Sequence, residues 1–236
     1  MRDNMVELNL SRQAKLIPEE ITATNIKVFG VGSVGSHVVR ILAKTGFNNM
    51  SVYDMDIVED ENIAAQAFSF KHLKMNKVDA MAELIESESG ITIDTNHGQI
   101  NADSTIIPEP NTVYCCLFDS FEARKMLFDM VKDYPVIFVD GRIGKYDMRH
   151  YLVDCSDKTQ VEAYEKTLVT GKVSELECGE KASAPINNIV SGMIVMNIIN
   201  YLKGNDYTKI YISNASATAN VVNVLESKGD IDDTQI

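Results

Sequence analysis

Through the first two thirds of the chain, short β-rich apolar runs alternate with stretches whose apolar positions recur at helical spacing, a pattern that predicts a parallel sheet with crossover helices. Strands are expected at Ile26–Phe29, Met50–Tyr53, Ile91–Asn96, Thr112–Cys116 and Val136–Val139, and helices at Ser36–Lys44, Met75–Glu88 and Phe121–Asp133. After Gly141 the pattern changes. "MRHYLV" reads as a strand, "KTQVEAYEKTL" as a short helix, and Val169 to Ala184 as an irregular crossover of polar and small residues. Pro185, preset for a first helical turn, opens a long apolar helix to about Leu202. Two further β-like runs, "KIYIS" and "NVVNVLE", lie beyond it. The expected fold is α/β: a Rossmann-like, doubly wound, mostly parallel sheet extended by antiparallel strands near the C-terminus. It forms one domain over residues 1–228, with a disordered acidic tail at 229–236.

The first strand runs directly into a glycine turn. In "VFGVGSVGSHVV", Gly30, Gly32 and Gly35 make a G-x-G-x-x-G pattern between strand and helix, the context in which such a turn cradles phosphate. The first glycine allows the tight turn, the second lets backbone approach an anion, and the third lets helix pack on strand. Nicotinamide, flavin, S-adenosylmethionine and ATP enzymes all use this device, so the residues downstream of the turn must decide among them.

Bulk properties narrow the choice of partner. With 236 residues and 45% hydrophobic content the chain can bury a sizeable core. A formal net charge of -12 argues against a nucleic-acid or anionic-membrane surface, which requires clustered Lys and Arg. The longest apolar stretch, Ile189 to Ile199, is interrupted by Ser191, Gly192 and Asn197, and the N-terminus lacks an apolar h-region. Cys115, Cys116, Cys155 and Cys178 form no C-x-x-C pair, so neither a disulfide framework nor a zinc ribbon is expected, and a cytoplasmic setting is.

Asp54 lies nineteen residues beyond Gly35, where an acidic residue takes the ribose hydroxyls of an adenosine. The continuation, Asp56, Val58, Asn62 and Gln66 in "DMDIVEDENIAAQ", then Lys77 heading "KVDAMAELI", is a polar set for which hydride transfer has no use. In order and near-spacing these motifs resemble the ThiF/MoeB/HesA family, small bacterial relatives of ubiquitin-activating enzymes. That family shows D-x-D-x-V-x-x-x-N-L-x-R-Q and then, about a helix later, K-V. "SRQ" at Ser11–Gln13, "LFDSFEAR" after the fourth strand, and "CGEKASAPINNIVSGMIVMNIINYLKG" extend the resemblance from about Arg12 to Gly204.

The resemblance implies an adenylyltransferase. The C-terminal carboxylate of a ubiquitin-like or sulfur-carrier protein, ending in Gly-Gly, attacks the α-phosphate of ATP, a reaction that needs charge neutralisation more than a base. By the same resemblance Asp54 holds ribose, Lys77 reaches the phosphates, Asn62 and Gln66 orient phosphate oxygens, and Asp119 binds Mg²⁺. Arg12 acts as a finger supplied by the second subunit of a homodimer, and Cys178 carries an acyl group in some relatives.

The chain also departs from the family. Ala65 stands where Arg precedes Gln, removing a positive charge; Arg142 or Lys145, beyond the fifth strand, are the candidate substitutes. The zinc-binding C-x-x-C pairs of MoeB-like members are absent, which places the chain in a compact, divergent branch. Plainer roles stand beside several of these: Asp56 as a cap of the next segment, Asp119 as the N-cap of the helix starting near Phe121, and Cys115 and Cys116 as core residues. Glu177 and Glu180 flank Cys178 and hold its thiol protonated. His37, His72, His97 and His150 show no ligand spacing. A nicotinamide-binding oxidoreductase and a non-catalytic ATP-binding protein of the same fold are the alternatives.

Overall fold

A computed structural model describes residues 8–98, 106–168, 183–214 and 221–223. Cys178 and the expected tail at 229–236 lie outside the described residues. After a short helix, α1 (Glu19–Thr22), the chain alternates β1 (Ile26–Phe29), α2 (Gly35–Lys44), β2 (Met50–Asp54), α3 (Lys77–Ser89), β3 (Asp94–His97), β4 (Val113–Cys116), α4 (Phe121–Val131) and β5 (Ile137–Gly144). It continues through β6 (Asp147–Asp154), α5 (Lys158–Lys166), α6 (Ala184–Leu202), β7 (Ile210–Asn214) and β8 (Val221–Asn223). The strands form one sheet in the order β3-β2-β1-β4-β5-β6-β7-β8. Pairings from β3 to β5 are parallel and those from β5 to β8 antiparallel, so the expected mixed, doubly wound sheet is what forms.

Strand alternation divides the core in two. Val28, Val52, Cys115 and Val139 join α2, α3 and α6 in one apolar layer, while Phe29, Tyr114, Cys116 and Phe138 join α4 and α5 in the other. α6 is apolar nearly all round: Ile186, Val190, Ile194 and Ile198 are buried on the sheet, yet Ile189 and Met196 are exposed. Among the described residues no helix is long and apolar enough to cross a membrane.

Differences from the expected boundaries have local causes. β3 starts at Asp94 rather than Ile91 because Gly90, at φ 70, closes α3 in the left-handed region and Ile93 is spent on the core. β5 runs to Gly144 rather than Val139 because it pairs with β6 as a hairpin, Gly141 opposite His150. α4 is capped not by Asp119 but by Ser120, whose Oγ accepts the Ala123 amide at 3.2 Å.

Candidate functional site

The site is built around the turn from β1 to α2, at the carboxyl edge of the parallel strands. Gly30 adopts φ +89, and a Cβ there would meet the Leu117 carbonyl oxygen at 2.8 Å and the Phe118 nitrogen at 3.1 Å. A Cβ on Gly35 would collide with the Gly30 carbonyl, whereas one on Gly32 would meet nothing within 4 Å. The three glycines therefore divide as the motif requires: one turns, one packs, and one faces open space that a phosphate can enter. The same contacts bring Leu117 and Phe118, the residues just before Asp119, against the turn.

Asp54 ends β2 beside this turn. Its Oδ2 accepts the Val31 amide at 2.8 Å and its Oδ1 the Asp56 amide at 2.9 Å, which fixes the carboxylate while leaving acceptor capacity on each oxygen. Burial pushes its carboxyl above the ordinary range, opposed by those two amides and by Lys77. The chain between β2 and α3 folds back on itself: Val58 and Met75 bond at 2.8 Å, Lys74 and Val58 at 2.9 Å, and the Lys77 amide donates to the Asp56 carbonyl at 2.8 Å. Lys77 is thereby delivered to Asp56, with Nζ 2.8 Å from Oδ2. Asp56 is thus the counter-ion of Lys77, while Glu59 caps the turn Asp60–Asn62.

Asn62 Oδ1 accepts the Glu59 amide at 3.0 Å, leaving its NH₂ group as a donor. Gln66 Oε1 is buried without a hydrogen-bond partner among the described residues, a polar position that a ligand can complete; rotating the amide would present a donor suited to a phosphate oxygen. At Ala65 the carbonyl accepts the Asn187 side-chain amide from α6 at 2.7 Å and lies 3.2 Å from His37 Nε2. Ser191 Oγ adds a bond to the Val34 carbonyl at 3.1 Å. α6 is thus fastened by its amino-terminal half to the glycine turn, a role for Asn187 and Ser191 that no sequence motif announces. Burial pulls His37 below its ordinary value, so it supplies no dependable positive charge at Ala65 near neutral pH.

Asp119 is exposed, and among the described residues no hydrogen bond or ion pair involves its carboxylate. A single free carboxylate beside a phosphate cradle fits the way Mg²⁺ is held, through one or two carboxylates plus phosphate oxygens. No group of three or more His, Cys, Asp or Glu that could cage a metal exists among the described residues.

Other expected residues lie elsewhere. The structure does not bring Arg142 to Ala65: strand alternation turns Arg142 to the α4–α5 face, where Nε bonds Asp140 at 2.8 Å and the guanidinium stacks 4.6 Å from the Tyr151 ring. Lys145 is exposed at the tip of the β5–β6 hairpin. Arg12 is exposed, and its neighbour Gln13 donates to the Lys44 carbonyl at 2.8 Å, so it lies by the carboxyl end of α2. That end is about 15 Å, the length of ten helical residues, from the glycine turn. Cys115, Cys116 and Cys155 are free and buried, with burial raising the thiol pKa of Cys155 to about 12, consistent with core roles.

With this geometry in place, residues 7–230 match the model of the ThiF family. The chain belongs to the ThiF family. It is 25% identical over 126 residues to the NEDD8-activating enzyme E1 catalytic subunit of Caenorhabditis elegans, covering 52% of this chain and 29% of that one. Over 205 residues it is 25% identical to the ubiquitin-like modifier-activating enzyme 5 of Bombyx mori, covering 78% of this chain and 52% of that one. This ThiF-family chain thus spans about half or less of the length of either relative. The crystal structure of E. coli MccB with ATP shares its fold, with a TM-score of 0.69 at 15% identity over 96% of this chain and 74% of that one.

Proposed function

We propose that this protein is an adenylyltransferase that uses Mg-ATP to activate the C-terminal carboxylate of a small ubiquitin-like or sulfur-carrier protein ending in Gly-Gly. The observation that carries the reading is the convergence of Asp54, the Asp56–Lys77 pair and the Leu117–Phe118 segment that leads into Asp119 around one open glycine turn, in a chain of the ThiF family. Asp54 takes the ribose hydroxyls, the Gly30–Gly35 amides and Lys77 take phosphates, and Asn62 and Gln66 orient phosphate oxygens. Asp119 would hold Mg²⁺, which would supply charge neutralisation on the triphosphate. A carboxylate oxygen of the carrier would bond to the α-phosphorus as the α–β phosphoanhydride bond breaks, giving the carrier adenylate and pyrophosphate.

The reading includes a homodimer in a reducing, cytoplasmic setting. α6 runs from the glycine turn, where Asn187 and Ser191 are bonded, to Lys203, whose Nζ donates to the Leu16 carbonyl at 2.7 Å in the segment that bears Arg12. Its outer stripe, Ile189, Gly192, Met193 and Met196, is centred on the helix and leaves large apolar side chains exposed. Two copies packed antiparallel along this stripe would carry the Arg12 segment of each towards the glycine turn of the other, as a self-complementary two-fold interface does. That is how a finger remote from its own site could act.

Calorimetric titration tests the nucleotide. Mg-ATP should bind more tightly than NAD or NADP, and tight NAD(P)H binding without ATP heat would replace the reading with an oxidoreductase. Carrier-dependent ATP–pyrophosphate exchange then separates an active enzyme from a non-catalytic ATP-binding protein.

A further inference from the structure

The geometry points to Arg124 as the positioning residue of Asp119, a single residue that holds the chain on both sides of that carboxylate. This rests on the assignment of Asp119 to the metal-bound triphosphate proposed above. No hydrogen bond or ion pair orients the Asp119 side chain among the described residues, so its placement depends on its backbone. On one side the Arg124 guanidinium donates to the Phe118 carbonyl at 2.5 Å; on the other the Arg124 amide donates to the Ser120 carbonyl at 3.2 Å. Asp119 is bracketed between them.

The bracket is itself anchored. Arg124 is 4% exposed, and its Nη1 lies 3.3 Å from the Cys116 carbonyl and 3.5 Å from that of Gly141, joining the end of β4 to the middle of β5. Behind it stands Asp140, fully buried, which forms an ion pair with Arg124 and also accepts Arg142 Nε and the Tyr164 hydroxyl, each at 2.8 Å. A guanidinium presents several donors in one rigid plane and can serve three carbonyls and a carboxylate together; an ammonium on a flexible stem cannot hold that geometry. Buried ion pairs are poor sources of stability compared with apolar packing. A pair kept directly behind the one unpartnered carboxylate of the site is accounted for by placement of that carboxylate.

The test is calorimetric binding of ATP with excess Mg²⁺ and, separately, with EDTA, on the full chain. Wild type, Arg124→Lys, Asp119→Asn and the double variant Arg124→Gln/Asp140→Asn are compared; the last removes both charges of the pair together, with Arg142 losing its carboxylate partner but keeping its bond to Thr167. Supporting groups behind a metal ligand cost about 10–100-fold in metal affinity when changed. The Mg²⁺-dependent gain in ATP affinity should therefore fall about tenfold or more in Arg124→Lys and in the double variant, while affinity in EDTA, carried by Asp54, the glycine turn and Lys77, stays as in wild type. A wild-type gain in folded Arg124→Lys, with the gain lost in Asp119→Asn, overturns the positioning role alone. An intact gain in Asp119→Asn removes the metal role of Asp119 and the positioning role with it. Unfolding of both Arg124 variants would assign the pair to the fold and likewise overturn the proposal.

Discussion

Lys77 Nζ stands 2.8 Å from Asp56 Oδ2, with the lysine side chain 9% exposed and the aspartate 53%. The cation of the site is thus already paired, with a partner that solvent reaches. A phosphate must share or displace that carboxylate, and such half-exposed pairs hold by about 0.2–1 kcal/mol. Asp56→Asn should accordingly tighten Mg-ATP binding by up to about fivefold, and Lys77→Met should weaken it by about tenfold, the scale of one charge-assisted hydrogen bond. Titration calorimetry decides; weaker binding in Asp56→Asn would mean that the pair acts as one unit.

Ala65 is the place where a family arginine is missing. Its structural work is done by its carbonyl, which Asn187 and His37 contact, so a longer side chain leaves those bonds in place. Arg142 is committed to Asp140, Tyr151 and Thr167 on the other face of the sheet. Ala65→Arg should therefore raise Mg-ATP affinity by about tenfold, as a charge-assisted contact to phosphate does. Loss of ATP binding with an unchanged melting temperature would show a site rebuilt for another task.

Much of this architecture is legible in the chain. The glycine turn, Asp54 and the K-V helix start are motifs with fixed backbone consequences, and Pro185 marks the first turn of α6. Less legible is anything joined across the sheet. Sequence pattern leaves Arg142 in a loop beyond the fifth strand, because β5 continues past Val139 through its pairing with β6. Arg124 closes the segment "LFDSFEAR", yet its role and its link to Asp140 are not readable there because the arginine bonds backbone carbonyls, which any residue supplies. Asn187 and Ser191 look like polar interruptions of an apolar helix until the glycine turn is placed against them.

A substitution at Cys178 would separate the proposed adenylation from a thiol-dependent second step. Adenylation needs nucleotide, metal, cations and a carboxylate, so Cys178→Ala should retain carrier-dependent ATP–pyrophosphate exchange. A thiol-dependent second step would give an adduct present in wild type, absent in the variant, and cleaved by hydroxylamine if a thioester or by reductant if an acyl-disulfide. Intact mass spectrometry reads the outcome, and loss of exchange in the variant would contradict this division of roles.

His150 gives the fold a defined acid sensitivity. It is 2% exposed in β6, its two ring nitrogens lack partners among the described residues, and it stacks 5.0 Å from Tyr211 of β7. Burial lowers its pKa from 6.5 to about 4. Between those values the unfolded chain binds the proton and the folded protein does not, so stability falls as pH drops through that window and is flat above it. The full effect is about 3 kcal/mol. In urea unfolding at pH 7.5, 5.5 and 4.5, His150→Phe should be progressively more stable than wild type as pH falls; a difference independent of pH would remove His150 as the cause.

Arg12 is remote from its own glycine turn, a separation that a two-fold pairing along α6 would resolve. Met193 lies midway along that helix, on the stripe with Ile189 and Met196, so Met193→Glu places two like charges near the proposed axis and should convert a dimer into a folded monomer, read by sedimentation velocity. Mg-ATP binding should survive, since Asp54 and Lys77 belong to one copy, while carrier-dependent exchange should collapse. Arg12→Ala and Asp54→Ala should each be inactive alone. Mixed in equal amounts with exchange of subunits, half of the dimers carry one intact composite site, and activity should return to about a quarter of wild type by the statistics of two-fold assembly. A mixture that stays inactive, while sedimentation shows mixed dimers, would confine Arg12 to its own subunit or to no catalytic role at all.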